Sequence, residues 1–348
     1  MATEPATEFT LEGPAAFEEE ARRAKVAGLG PWQLALRRLR RNKTALAFGA
    51  LFVVIVCLCL AAPWYADHIA HTGPNKNHLT DTVPYGPGGK AKDVVAPNGI
   101  PIGPTWHGRF LLGADSNGRD IAVRLLYGGR TSLVIGLGAA LITAFLAVSL
   151  GILAGYFRGI TDAVISRALD LIWSYPVVLL GVALGTALAI EGLKIGPLEL
   201  EGDSKLIPIF IIAVVYVPYM ARPLRGQVLA LREKEFVEAA RAQGAGPLRI
   251  MFTEILPNLS STIVVFLPLI IANAILLEAA LSFLGAGVRP PTPSWGNMIG
   301  DGVEKIVTGP HLAIVPGLML VLTVLSLNVF GDGVRDALDP RATLHLEH

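Results

Sequence analysis

Cysteine is almost absent: the chain has two, Cys57 and Cys59. Both sit in one apolar run, which excludes a disulfide framework, and they are expected to face lipid or a neighbouring helix. Charge is scarce too. Asp, Glu, Lys and Arg make up 16% of the 348 residues against 52% hydrophobic, with a net charge of +1. So even a balance gives nucleic acid no footing, and a mean hydropathy of +0.54 marks an integral membrane chain rather than soluble domains. The seven histidines contain no HExxH pattern. His68, His71, His78 and His107 share a loop without ligand spacing, so no metal site is expected. The nearest approach to a phosphate-binding loop is Gly113 with Gly118, but Arg119-Asp120 stands where Lys-Ser/Thr is required. The chain is therefore expected to hold no nucleotide and no cofactor, and any energy must come from elsewhere.

What is present is a series of long apolar runs. Six can be marked, at about 44–65, 133–157, 164–190, 207–220, 260–284 and 312–330. Most are long enough for a helix to cross ~30 Å of hydrocarbon; the fourth is short. The expected fold is an all-α integral membrane protein with six transmembrane helices. Residues 1–30 read as a polar cytoplasmic tail, since the first apolar run begins too late for a signal peptide. Residues 31–43 read as a basic interfacial helix, with Trp32, Leu36 and Leu39 on one face and Arg37, Arg38, Arg40, Arg41 and Lys43 around the rest. A first span over 44–65, an extracytoplasmic loop over 66–130, a membrane core over 131–333 and a tail over 334–348 follow. With the N-terminus inside, the inner segments carry the larger share of Lys and Arg, which predicts that both termini are cytoplasmic. The loop over 66–130 is too long for a simple connection, so it is expected to be a functional surface or partly disordered.

Between the fourth and fifth runs lies a polar, helix-prone island, residues 235–258. Glu238, Ala239 and Ala240 favour a helix, Gly244 and Gly246 interrupt it, and a second short helical stretch is expected to end at Leu256-Pro257. Small alanines leave a surface another protein can approach closely, and glycine permits a sharp reversal. This spacing resembles the EAA loop of ABC importer permeases, with one departure: Glu254 stands where the general pattern has isoleucine, and Ile255 follows. The resemblance implies a type I importer transmembrane domain with a cytoplasmic coupling helix. Glu238 would fix the helical turn by hydrogen bonding, Ala239 and Ala240 would allow close docking, Gly244 would make the reversal, and Leu256-Pro257 would join the next span.

Other positions carry path or structural expectations. Arg167 and Asp170 are read as a local i, i+3 pair. Tyr175-Pro176 should kink its helix, with Ser174 and Tyr175 as candidates to line a path. Asn273 and Glu278 are polar residues in the fifth run. Glu278 falls towards its outer end and is expected to be mainly a structural carboxyl bonded to a neighbouring helix or headgroup. In the stretch 281–298, Pro290, Pro291 and Pro293 set an extended turn, and Trp295 suits the membrane interface. That stretch, the segment 111–129 and the end 328–341 resemble the C-type subunit of dipeptide, oligopeptide and nickel importers. The resemblance implies a non-catalytic permease in the cytoplasmic membrane that moves di- or oligopeptides. Its implied partners are a second homologous permease, two cytoplasmic ATPases holding ATP and Mg, and an extracytoplasmic binding protein. Nickel or another small solute is the alternative cargo. A stand-alone secondary transporter is disfavoured by the lack of mid-bilayer charge and of inverted repeats.

Overall fold

The computed structural model describes residues 30–86, 89–106, 108–195 and 198–339. The expected tail at 1–29, His107 and residues 340–348 lie outside them. Helix α1 (Pro31–Arg41) starts on a proline, whose missing N–H costs nothing at a first helical turn. It is followed, after Asn42, by α2 (Lys43–Leu60), where the Asn42 side chain accepts from the Ala45 N–H. Ala35 packs inward, while Trp32 and Leu36 stay half exposed beside Arg37, Arg40 and Arg41. Apolar and basic groups thus share the outward surface of α1. Cys57 is exposed on α2, Cys59 is buried, and both are free.

The described part of the loop after α2 carries structure of its own. A hairpin of β1 (Thr82–Tyr85) and β2 (Lys90–Asp93) pairs antiparallel, Thr82 opposite Asp93. Val83, Val94, Ile102, Phe110 and Ala114 form a small core beneath it. Its end is a helix cap: the Asp120 carboxylate accepts from the Ala122 and Val123 N–H groups at 2.9 and 3.1 Å and from Phe110 N–H at 2.6 Å. Helix α3 (Ile121–Phe157) therefore begins here and not near 133. The cap starts the helix before the expected loop boundary at 130, on residues whose own composition does not mark a span.

Helices α4 (Gly159–Trp173) and α5 (Val177–Glu191) form a pair bent by 89°, together long and apolar enough for one broken span. Pro176 lacks the N–H and forces Tyr175 away from helical backbone, so the break at Ser174-Tyr175-Pro176 follows from local sterics. A second hairpin, β3 (Leu193–Ile195) with β4 (Leu198–Leu200), leads to α6 (Leu206–Leu231). The fourth apolar run is thus a full-length helix. Pro218 and Pro223 lie inside it, tolerated where neighbours take up the freed backbone groups. Helix α6 packs along α3 at small residues: a Cβ at Gly155 would lie 2.6 Å from Val228 Cβ. Next come α7 (Glu235–Ala242), α8 (Leu256–Phe283), α9 (Trp295–Val303) and α10 (His311–Leu338). Among the described residues five helices are long and apolar enough to cross a membrane, or six with the bent pair as one span. The two short hairpins are the only departure there from an all-α plan.

Trp295 corrects an expectation. It is fully buried, its indole N–H donating to the Leu125 carbonyl at 3.0 Å, because α9 folds back between α3, α8 and α10 instead of lying at an interface.

Candidate coupling segment and substrate path

The island at 235–258 is a helix, a left-handed turn and a second helix. Helix α7 stops at Gly244, whose φ of +82° is a backbone state that L side chains resist. The Gly244 N–H donates to the Arg241 carbonyl at 2.9 Å and the Ala245 N–H to the Ala240 carbonyl at 3.0 Å, the paired bonds of a Schellman cap. Pro247 then opens the second helix. That helix does not end at Leu256-Pro257. It runs through a π turn, Ile250–Ile255, with Leu256 N–H bonded to the Met251 carbonyl, and continues without a break into α8. A wider turn accommodates the Pro257 ring, which has no N–H to offer. Leu256 and Pro257 therefore lie inside a continuous rod and join segment to span rigidly.

One face of the elbow is anchored. Val237, Ile250, Met251 and Ile255 are buried in the largest apolar cluster with Tyr156, Leu224 and Val228. Arg158 pairs with Glu233 at 2.8 Å, and Arg232 donates to the Tyr156 carbonyl at 2.5 Å, so the corner between α3 and α4 clamps the start of the segment. The other face is open. Glu238, Ala239 and Gly244 are exposed and Ala240 is half-buried. The Glu238 carboxylate makes no hydrogen bond among the described residues, so the expected fixing of the turn falls to the Gly244 cap and to Val237. Leu248 and Phe252, 67% and 64% exposed, point outward one turn apart. Sequence reasoning missed them. Their i, i+4 spacing, offset from buried Ile250, Met251 and Ile255, was the available signal.

The path candidates separate into two groups. Ser174 and Tyr175 sit exposed at the α4–α5 break, and the Ser174 hydroxyl donates to the Leu171 carbonyl at 2.7 Å. Beside them Trp173 stacks on Tyr219 at 6.0 Å, Tyr219 meets Tyr216 edge-on at 6.4 Å, and the Tyr216 hydroxyl donates to the Asn273 carbonyl at 3.3 Å. Asn273 is thereby linked to this aromatic ledge through its backbone. Asp170 closes it, but its near partner is Arg222 of α6 at 2.7 Å; Arg167, the expected i, i+3 partner, stands 3.9 Å away. Arg225 chelates Asp162 through two nitrogens. Glu278 lies elsewhere. It is fully buried and accepts the Ser282 hydroxyl at 2.7 Å, with the Ser132 and Ser294 hydroxyls of neighbouring elements facing its carboxyl. Its bond to its own helix is consistent with a structural role and removes it from the ledge.

A separate polar cluster holds the loop between α2 and α3. His78 is buried between Thr72, at 2.7 Å, and Asp81, at 3.0 Å, with Arg109 against its ring. Burial first and the Arg109 guanidinium second hold its imidazole below the ordinary value, against the pull of Asp81. Among the described residues no group of three or more His, Cys, Asp or Glu could hold a metal ion.

This arrangement is that of a multi-pass membrane protein with an exposed elbow seated on an apolar cluster. The chain belongs to the family of binding-protein-dependent transport system inner membrane components, matched over residues 147–344. Residues 30–82 match the N-terminal transmembrane domain of oligopeptide transport permease C, in line with the resemblance to C-type subunits. Similar curated proteins include the glutathione transport system permease protein GsiD of Pectobacterium atrosepticum, 33% identical over 89% of this chain and 91% of that one. Another is the di/tripeptide transport system permease protein DppC of Pseudomonas aeruginosa, 36% identical over 86% of this chain and 89% of that one. A chain of the inward-facing MetNI methionine ABC transporter aligns over 61% of this chain and 95% of its own, with TM-score 0.49 and 20% identity.

Proposed function

We propose that this chain is the permease subunit of an ATP-driven importer that carries di- or oligopeptides across the cytoplasmic membrane by alternating access. The observation that supports it best is the elbow at 235–258: capped by Gly244, anchored through Val237 and Ile250, and open on the face carrying Glu238, Ala239, Ala240, Leu248 and Phe252. A surface patch on a rod continuous with α8 transmits a push as a rigid body, which is what a separate motor needs. On this reading the elbow and both termini face the cytoplasm. Two ATPase subunits holding ATP and Mg dock there, a second homologous permease completes the path, and an extracytoplasmic binding protein delivers peptide.

The dipeptide and glutathione carriers among the relatives favour a peptide cargo over nickel. Affinity purification of the tagged chain from its native membrane should bring ATPase chains with it and yield a complex whose ATP hydrolysis rises when binding protein and peptide are added. A chain that purifies without them and takes up peptide alone in liposomes would be a secondary transporter, and the proposal would fall.

A further inference from the structure

The charged residues between α4 and α6 are a strange thing to find on helices of a membrane span. Asp170 lies roughly 16 Å from the Gly159 end of α4, and Arg222 roughly 14 Å from the Leu231 end of α6, at ~1.5 Å per residue. Those two ends are on the same side, as the pairing of Arg158 with Glu233 requires. Arg167, Asp170 and Arg222 nevertheless keep 87%, 51% and 39% of their side-chain surface exposed. Charge on a membrane helix is turned away from lipid, towards protein, water or a ligand.

We propose that this ledge is a subsite for the two charged ends of a zwitterionic peptide during translocation, an assignment that rests on the peptide reading above. Ser166, Asp170, Arg222 and Arg225 line an open cleft of about 380 Å³. Arg225 is spent on Asp162, so it shapes the wall. Arg222 has one near carboxylate and Arg167 none closer than 3.9 Å, which leaves donors for a peptide carboxylate. The exposed half of the Asp170 carboxylate takes an ammonium. Arg222 also lies over the Trp173 ring at 4.9 Å, and Trp173, Tyr175 and Tyr219 continue the surface as an aromatic shelf. Aromatic faces accept side chains of many shapes, so this site reads the backbone termini and tolerates the residues between them.

The test uses the assembled transporter, with its ATPases and binding protein, in liposomes. A dipeptide with free termini is compared with the same peptide N-acetylated and C-amidated. Arg222→Gln should lower uptake of the free peptide about tenfold, the loss of one charge-assisted bond, while binding-protein-stimulated ATP hydrolysis persists, and Arg222→Lys should recover part of the uptake. In Ser166→Cys, a charged methanethiosulfonate reagent should label the cleft, and millimolar free dipeptide should slow labelling where the blocked peptide does not. Equal labelling with and without free dipeptide overturns the site. So does absence of labelling, which would mean that the second permease seals the ledge. Uptake by Arg222→Gln at the wild-type rate also overturns it. If wild type carries no peptide at all, the peptide reading itself fails and this site with it.

Discussion

Gly244 offers the sharpest perturbation of the proposed coupling. Its φ of +82° is costly for any residue with a Cβ, by about 1–2 kcal/mol, and more for a β-branched one. Space is not the issue, because a Cβ built there meets no atom within 4 Å. The whole effect in the isolated chain is therefore conformational. Gly244→Ala should destabilise the cap by about 1–2 kcal/mol and Gly244→Val by more, whereas Gly244→Asn, which tolerates left-handed backbone, should lose least. The cap is local, so the cost falls on the fraction of molecules whose elbow is correctly formed. If that fraction falls tenfold, apparent affinity for the ATPase falls by the same factor. Titration of the purified permease pair with ATPase, followed by peptide uptake and ATP hydrolysis in liposomes, reads both quantities. Normal uptake and normal ATPase stimulation by Gly244→Val would refute the reasoning. Equal damage from Asn and Val would refute its physical basis, since it would show that side-chain bulk rather than backbone state matters.

Other outcomes follow from the packing. Gly155→Leu puts its first side-chain atom 2.6 Å from Val228 Cβ, so α3 and α6 must separate; a loss of about 1–3 kcal/mol is expected, measured as unfolding in detergent, and Gly155→Ala should lie between it and wild type. His78 faces Thr72, Asp81, Arg109 and, at longer range, Lys76. Because folding holds this imidazole neutral, its stabilisation is present above pH ~6.5 and is lost as pH falls below that value. Hydrogen exchange across residues 72–120 should accelerate towards pH 5 in wild type, and His78→Asn should flatten that dependence; an unchanged profile would rule the histidine out as its cause. Deletion of residues 72–108 removes the hairpin and most of the small core around Phe110, and should abolish binding-protein-dependent uptake while leaving the ATPase bound. Uptake at the wild-type rate would remove the outer loop from function.

Much of this molecule is legible from local pattern. Apolar runs identify the membrane class because a span must satisfy its own backbone inside hydrocarbon, and only long apolar helices do so in a chain like this. Pro176 marks the break in the third span, and Gly244 marks the reversal of the elbow, because each acts on its own backbone through sterics. Partners distant in sequence are not legible in this way. Asp170 is read as the partner of Arg167, three residues away, and that pair forms at 3.9 Å, but its closer partner, Arg222 at 2.7 Å, lies more than fifty residues on. Trp295 has the composition of an interfacial anchor and is instead enclosed by Leu125, Met298 and Leu312. Helix α3 begins well before its apolar run because Asp120 caps it. By itself the sequence determined that the chain crosses a membrane, where one crossing breaks and where a polar elbow interrupts the apolar runs, since periodicity and backbone sterics act within a few residues. Tertiary structure alone decided which charges meet, which tryptophan is enclosed and which face of the elbow stays open, because those depend on helices that pack together only once the whole chain has folded.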